Sequence, residues 1–544
     1  MLLGGDISGI QKFIYNIASR KAAVSLKGRS FYLQLLIDSV IQRIISHPDI
    51  NVNIGNVVYS SGGKFYMLLP NTQKIQNAIT ILKEEFEREL WNEHKGQLLL
   101  NLEHVPFAYS VKSKDIYCEN QEGKTIGDLW KCLADKLTAS KNTKFKSILI
   151  ESYNKLFLPQ PCGEKVKVCS VTGVESEKCV KLDSDDESPN VLPIVRKQAE
   201  LGNILKDVDY ILTNNQPHGT NVFFSDKYKF NISIVGVNNY LFDQKEFKQW
   251  ITELTSDKAD FRKITSSDTY RVKRVNDTSF LEKQLKGQAA SYGFQFYGGN
   301  EQAEENNKIK TFDKLAGDTS LGILRMDVDN LGMIFINGLS DEDKSFAAYS
   351  TLSFLLDYFF SGYLNMIRNQ PEFKDDVNIL YSGGDDVFAV GRWDKLVLFA
   401  EQIRNDFREF VGRNDISISG GITIVGEKYP IAKAAELAGD AEKNAKNYND
   451  KKKNALNMFG ENISWDKEFD LVKDWKTQFI VCIEHGMPRS ILHKIMEFAS
   501  MKKRGNISFA WNTIYYLTRF EEGKKDIIKD FCQQLQKKFF FLSL

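Results

Sequence analysis

Two hydrophobic patterns alternate along the chain. Residues 321–326 form a short apolar run, interrupted by Arg325, that ends at Asp327, the length and enclosure of a buried strand. Across residues 346–367 the spacing changes. Phe346, Tyr349, Leu352, Leu355, Leu356, Phe359 and Tyr363 recur at three- and four-residue steps, which predicts a helix. Residues 377–381 and 387–390 read as two strands joined by Gly383-Gly384-Asp385-Asp386, where glycine gives a tight hairpin its backbone freedom. A further helix over 393–410 and a strand over 416–425 complete the order βαββαβ, the ferredoxin-like arrangement.

The same punctuation occurs in roughly the first 110 residues. Ser60-Ser61-Gly62-Gly63-Lys64-Phe65 parallels Tyr381-Ser382-Gly383-Gly384-Asp385-Asp386. Ahead of each lies an aspartate-bearing segment, Asp6-Ile7-Ser8-Gly9-Ile10 and Asp327-Val328-Asp329-Asn330-Leu331. Gly62 follows Asp6 by 56 residues, and Gly383 follows Asp327 by 56. Two motifs sharing one offset indicate an internal duplication. Aligned this way, Lys64 and Phe65 stand where the second copy has its two acids.

Between the copies, residues 128–157 read as helical, Cys162, Cys169 and Cys179 cluster, and the acidic stretch 183–189 reads as a solvated loop. Beyond residue 462 the pattern is helical to the end, with Trp465, Trp475, Trp511, Tyr515, Tyr516 and Phe520 available for a small all-α core. The expected organisation is α+β: a degenerate first domain over 1–157, a connecting domain over 158–305, a second α/β domain over 306–462 and a helical domain over 463–544.

Composition narrows the function classes. A chain of 544 residues with 42% hydrophobic and 26% charged residues is globular and expected to hold several domains. With 72 basic and 71 acidic side chains it has no global field for nucleic acid, so RNA contact must come from local patches such as Lys502-Lys503-Arg504. Seven scattered cysteines fit a reducing cytoplasm. Met1-Leu2-Leu3 runs directly into Gly4-Gly5-Asp6 without a charged leader, and no apolar stretch reaches the ~20 residues a bilayer needs, so no membrane partner is expected. Phe539-Phe540-Phe541-Leu542 is too short to span and reads as a tail docking on the protein or a partner.

In a βαββαβ sheet the first and third strands are central neighbours, so Asp327 and the Asp385-Asp386 tip converge. Three crowded carboxylates repel unless a hard cation neutralises them, and all-oxygen ligation suits Mg²⁺ or Mn²⁺. Such a site can bridge nucleotide phosphates and stabilise a pyrophosphate leaving group. The bland alternative is a solvated Asp/Gly turn; the strand-end aspartate and the duplicated spacing favour the metal. Asp329 is left between a supporting contact to that site and a cap on the following helix.

These strings resemble the large subunit of type III CRISPR effector complexes, most nearly type III-A. The likeness is carried by Gly5-Asp6-Ile7-Ser8-Gly9-Ile10-Gln11-Lys12-Phe13-Ile14, Leu26-Lys27-Gly28-Arg29-Ser30, Ser61-Gly62-Gly63-Lys64-Phe65, Arg325-Met326-Asp327-Val328-Asp329-Asn330-Leu331-Gly332 and the Gly-Gly-Asp-Asp string. The resemblance implies two facing palm domains that hold two ATP molecules and join ATP into cyclic oligoadenylates when target RNA is bound. It implies Asp327, Asp385 and Asp386 as catalytic, with these and Val328 as metal ligands. It implies nucleotide contacts at Ser382, Gly383, Gly384, Asn330, Leu331, Gly332, Ser61, Gly62 and Gly63. The helix 438–446 resembles that of diguanylate cyclases, which places Lys446 on the triphosphate and gives Lys453-Asn454 a downstream phosphate and structural role. Implied partners are the guide-end-binding, backbone and small subunits, guide RNA and target RNA.

Two departures from the family pattern shape the expectations. None of the six histidines is followed by aspartate, so nuclease activity of the histidine-aspartate type is not expected. The family's paired Cys-x-x-Cys element is incomplete, because Thr172 and Leu182 replace the second cysteines. Zinc at Cys162, Cys169 and Cys179 is therefore not expected. A complex-assembly scaffold with a minor cyclase role, or the same chemistry making another AMP-containing product, are the competing readings.

Overall fold

The computed structural model describes residues 1–110, 116–118, 121–158, 165–214, 230–256, 270–278, 290–306, 308–340 and 343–541. The first repeat runs β1 (Leu2–Ser8), α1 (Ile10–Tyr15), α2 (Ala22–Ile45), β2 (Val57–Ser61), β3 (Lys64–Leu68), α3 (Gln73–His94) and β4 (Leu99–Val105). Its sheet has the order β2-β3-β1-β4, antiparallel throughout. Gly5 in β1 is dictated by its neighbour, since a Cβ there would lie 2.1 Å from the Phe65 ring. Thr72 caps α3 through its hydroxyl, which accepts from Ile75 N. The helical stretch read over 128–157 is two helices, α4 (Ile126–Ser140) and α5 (Lys146–Phe157). They are separated by a tight turn at Lys141–Thr143 and by Phe145 at φ 55°. α4 lies against β1 and β4.

The connecting region is more regular than its sequence indicated. After α6 (Pro193–Ile204) come β5 (Tyr210–Asn214), β6 (Phe230–Ile234), β7 (Val237–Phe242), β8 (Tyr270–Val275) and β9 (Ala290–Gln295), in one sheet ordered β6-β7-β5-β8-β9. α6 packs on α2 at glycine: a Cβ on Gly28 would lie 1.8 Å from Gln198 O, and one on Gly202 1.9 Å from Val24 O. Asn239 ties the sheet to α2, donating to Ser39 Oγ at 3.0 Å.

The second repeat comprises β10 (Leu321–Val328), α7 (Leu331–Asn337), α8 (Phe346–Asp357), α9 (Leu364–Arg368), β11 (Val377–Gly383), β12 (Asp386–Arg392), α10 (Trp393–Val411) and β13 (Ile418–Val425). It continues through α11 (Ile431–Lys446), β14 (Ala455–Met458) and β15 (Glu461–Ser464). The strand order is β11-β12-β10-β13-β14-β15, so its first four strands repeat the order of the first sheet. The single helix expected over 346–367 is interrupted by a π-helical segment, Tyr358–Tyr363. There the Phe360 carbonyl accepts a hydrogen bond from Ser382 Oγ, an outside partner that the altered turn makes available. One hydrophobic core joins the repeats, with Leu3, Phe31 and Phe65 from the first continuous with Ile323, Phe388 and Ala434 from the second.

Residues Met1–Asn462 form one compact unit and Ile463–Leu544 another. The second holds α12 (Phe469–Glu484), α13 (Ser490–Lys503), α14 (Ser508–Glu521) and α15 (Asp526–Phe541) around Cys482, Ile491, Leu517, Phe531 and Cys532. Its aromatic inventory divides. Trp475, Tyr516 and Phe520 pack on that core, whereas Trp511 and Tyr515, read from sequence as core residues, are 73% and 63% exposed. The side chains of Phe539-Phe540-Phe541-Leu542 lie outside the described residues. No helix among the described residues is long and apolar enough to cross a membrane.

Candidate active site

Asp327, near the end of β10, lies directly opposite Asp386 at the start of β12. Gly384, at φ 74°, forms the turn that brings Asp385 alongside, and Val328 N donates to the Asp385 carbonyl at 3.3 Å. Carboxylate oxygens of Asp327, Asp385 and Asp386 all lie within 4.8 Å of one another, close enough to share a cation. Burial pushes the Asp385 carboxyl up to about 7, the charge of Asp386 adds to this, and Lys64 opposes it. Burial also raises Asp386, against Arg325 and Lys64. Metal-free, the group is an unfavourable concentration of negative charge, and its donors fit a hard divalent ion.

Cationic side chains surround it. Lys446, the last residue of α11, pairs with Asp327 and, at 3.3 Å, with Glu442 one turn earlier. Arg325, two residues before Asp327 on the same strand, meets Glu442 at 3.3 Å. Sequence reasoning found Lys446 and missed Arg325 and Glu442, although i−2 on a strand and i−4 on a helix are the spacings that share a face.

Asp329 stands apart from the three carboxylates. It is buried and accepts from Ser417 Oγ at 2.6 Å, Ser419 Oγ at 3.0 Å and Asn454 N at 3.1 Å. It therefore ties the β10 end to β13 and the α11–β14 connection, and the residue preceding α7 is Asn330, at φ 60°. Asn330 Oδ1 accepts from Lys453 Nζ at 2.6 Å. Leu331 and Gly332 form the first turn of α7, and Gly332 borders open space. Ser382 is 1% exposed with its hydroxyl committed to Phe360 O, which points it into the fold.

The two glycine hairpins meet. A Cβ on Gly384 would lie 3.1 Å from Gly62 Cα and 3.4 Å from Ser61 Oγ. Beside them a cavity of about 460 Å³ is lined by Ser61, Gly62, Gly63 and Gly383, with Gln34 and Asp357 among its polar groups. The equivalence of the hairpins is not the one read from sequence. Asp6 lies opposite Lys64, as Asp327 lies opposite Asp386. The tips pair Ser61 with Lys64 and Gly383 with Asp386, and each hairpin's register slips on the way in, between Val57 and Tyr59 and between Ile379 and Tyr381. Lys64 thus stands for Asp386 and Gly63 for Asp385. Phe65 corresponds to Val387, and both are buried. Aligning glycine with glycine was one residue out, because a bulge and a turn set hairpin register.

The repeat also extends further than its sequence shows. Asp6 pairs with Lys141 at 2.5 Å, and Lys141 follows α4 as Lys446 ends α11. Each central strand therefore presents an aspartate to a lysine from the end of a helix packed on the sheet. No shared offset could have revealed this, since 135 residues separate Asp6 from Lys141 and 119 separate Asp327 from Lys446.

Cys169 and Cys179 are buried. Cys169 Sγ accepts from Thr172 N and Leu192 N, each at 3.4 Å, and Cys179 Sγ lies 3.4 Å from Lys167 O. Cys162 lies outside the described residues. Among the described residues the aspartate group is the one cluster with metal-binding geometry.

Comparison with known proteins places this arrangement. Residues 1–160 match the family model described as Csm1 subunit domain B, and residues 320–457 match the Cas10/Cmr2 second palm domain. The CRISPR system single-strand-specific deoxyribonuclease Cas10/Csm1 (subtype III-A) of Methanocaldococcus jannaschii is 30% identical over 504 residues, covering 86% of this chain and 60% of that protein. The Enterococcus italicus protein of the same description is 28% identical, covering 93% and 61%. The chain thus spans about three fifths of the length of these relatives. Among solved structures, a Csm1-Csm4 cassette in complex with AMPPNP superposes with a TM-score of 0.67 at 19% identity, over 94% of this chain and 64% of that one. The cassette in complex with cA4 gives 0.66 at 18% identity, over 100% and 70%. At that identity the likeness speaks to the fold. From the two matched domains and the similarity over most of this chain, the chain belongs to the Cas10/Csm1 family.

Proposed function

We propose that this chain is a nucleotidyltransferase that joins ATP into cyclic oligoadenylates within a type III-A CRISPR ribonucleoprotein, and that target RNA switches it on. One observation carries the reading: the hairpin that brings Asp385 and Asp386 beside Asp327 in the second repeat touches the glycine hairpin of the first, which composes one site from two palms. Solved relatives bound to AMPPNP and cA4 support it, because those molecules correspond to substrate and product.

In this reading Asp327, Asp385 and Asp386, with the Val328 backbone, hold Mg²⁺ or Mn²⁺. Such an ion, when bound, neutralises phosphate charge and lowers the pKa of an attacking hydroxyl. The 3′-hydroxyl of one ATP attacks the α-phosphate of the next, and pyrophosphate leaves. Lys446 takes the triphosphate of the donor nucleotide. Gly62, Gly63 and Gly384 allow backbone to approach the nucleotides, and the cavity beside them accommodates the acceptor. The domain division is that read from sequence, 1–157, 158–305, 306–462 and 463–544. The partners are guide RNA, target RNA and the other subunits of the complex, beginning with a Csm4-like neighbour such as that in the related cassettes. The test is to assemble the complex with Asp385→Ala and Asp386→Ala together. ATP conversion is expected to fall to background while assembly persists, and conversion near the original rate would reject the site.

A further inference from the structure

Lys446 has two carboxylates within reach, and one belongs to the candidate metal site. Its ammonium pairs with Asp327 on one side and with Glu442 at 3.3 Å on the other. We propose that Lys446 is a two-position lysine. Without nucleotide it occupies Asp327 and obstructs the cation; an incoming triphosphate draws it off, and Glu442 keeps it tethered beside the site. Metal and nucleotide then load together. The inference rests on the reading of the three aspartates as a metal site.

The packing favours a fixed anchor and a mobile cation. A Cβ on Gly421 would lie 2.2 Å from Glu442 N, and one on Gly439 2.7 Å from an Arg325 guanidinium nitrogen. α11 is therefore pressed onto β10 and β13, and Glu442 is held against Arg325. Lys446 has a flexible four-carbon stem and can exchange one oxygen for another while its backbone stays in place. Two cations on one carboxylate repel, so an ammonium on Asp327 opposes a divalent ion arriving there. The first repeat shows the obstructed arrangement without the means of release to a metal: Lys141 sits on Asp6, and Lys64 replaces the carboxylate that would face it. Glu442 is, on this account, a positioning residue for Lys446.

The test is Mn²⁺ titration of the full chain without nucleotide, with free Mn²⁺ read by electron paramagnetic resonance. Lys446→Met is expected to bind Mn²⁺ about tenfold more tightly than the parent while its KM for ATP rises, a pairing that loss of structure would not produce. Glu442→Gln is expected to raise KM for ATP without tightening Mn²⁺ binding. Equal or weaker Mn²⁺ binding by Lys446→Met, or tighter binding by Glu442→Gln, would overturn the proposal. Asp385→Asn with Asp386→Asn separates the two readings. If that variant binds Mn²⁺ like the parent, the metal-site reading itself fails; if it loses Mn²⁺ while Lys446→Met is unchanged from the parent, the two-position lysine alone fails.

Discussion

Asp385 and Asp386 sit half-buried side by side, and partial loss of hydration is the main reason both carboxyls titrate above the ordinary aspartate range. The folded chain therefore holds these protons more tightly than the unfolded one. Without metal, the contribution of these two carboxyls to stability is fully present below about pH 4 and is lost as the pH rises to about 7, the value to which Asp385 is pushed. Asp385→Asn with Asp386→Asn should raise the melting temperature in EDTA by a few degrees at pH 7.5, and little at pH 4, as calorimetry can check. A fall at pH 7.5 would show that the acids support the fold. The three acids were legible in the sequence because the strand-end aspartate and the duplicated spacing set them apart from an ordinary Asp/Gly turn. Lys64 was misaligned because register slips leave no mark on a one-dimensional comparison, and Asp329 stays between a supporting contact and a helix cap until its three donors are seen.

At the scale of elements, the site depends on two hairpins that touch through glycine. Gly62 and Gly384 both have positive φ, at 58° and 74°, so a side chain at either is strained as well as obstructive. Gly62→Val should lower ATP turnover at least about tenfold with all three acids intact. Unchanged kinetics would mean that the palms do not share a site. A second glycine contact serves the fold alone. Gly28→Ala would force α2 from the Gln198 carbonyl and should cost about 3 kcal/mol, measured by denaturant unfolding. The strands and helices of the second repeat were legible from periodicity. The π-helical segment Tyr358–Tyr363 was not, because its apolar spacing still reads as α-helix. The sheet β5–β9 was hidden for another reason: its strands are dispersed over residues 210–295 and gain their identity only by pairing.

At the scale of the molecule, one core joins a repeat with three acids to a repeat with Lys64 in the corresponding place, and in the proposed function the acidic repeat does the chemistry while the other holds substrate. The C-terminal unit exposes Ile507, Trp511 and Tyr515, large apolar side chains that pack on none of its own core. Trp511→Glu should leave thermal stability within about 0.5 kcal/mol of the parent and weaken association with the other subunits, as sedimentation of the reconstituted complex can show. An unaffected complex would remove this face from the interface. The most direct test of the central claim is mass spectrometry of the products made from ATP and Mg²⁺ by the reconstituted complex, with and without target RNA. Cyclic oligoadenylates are expected to appear with non-self target RNA and to vanish with Asp385→Ala and Asp386→Ala. Equal product with and without target, or product that survives loss of both aspartates, would contradict that claim.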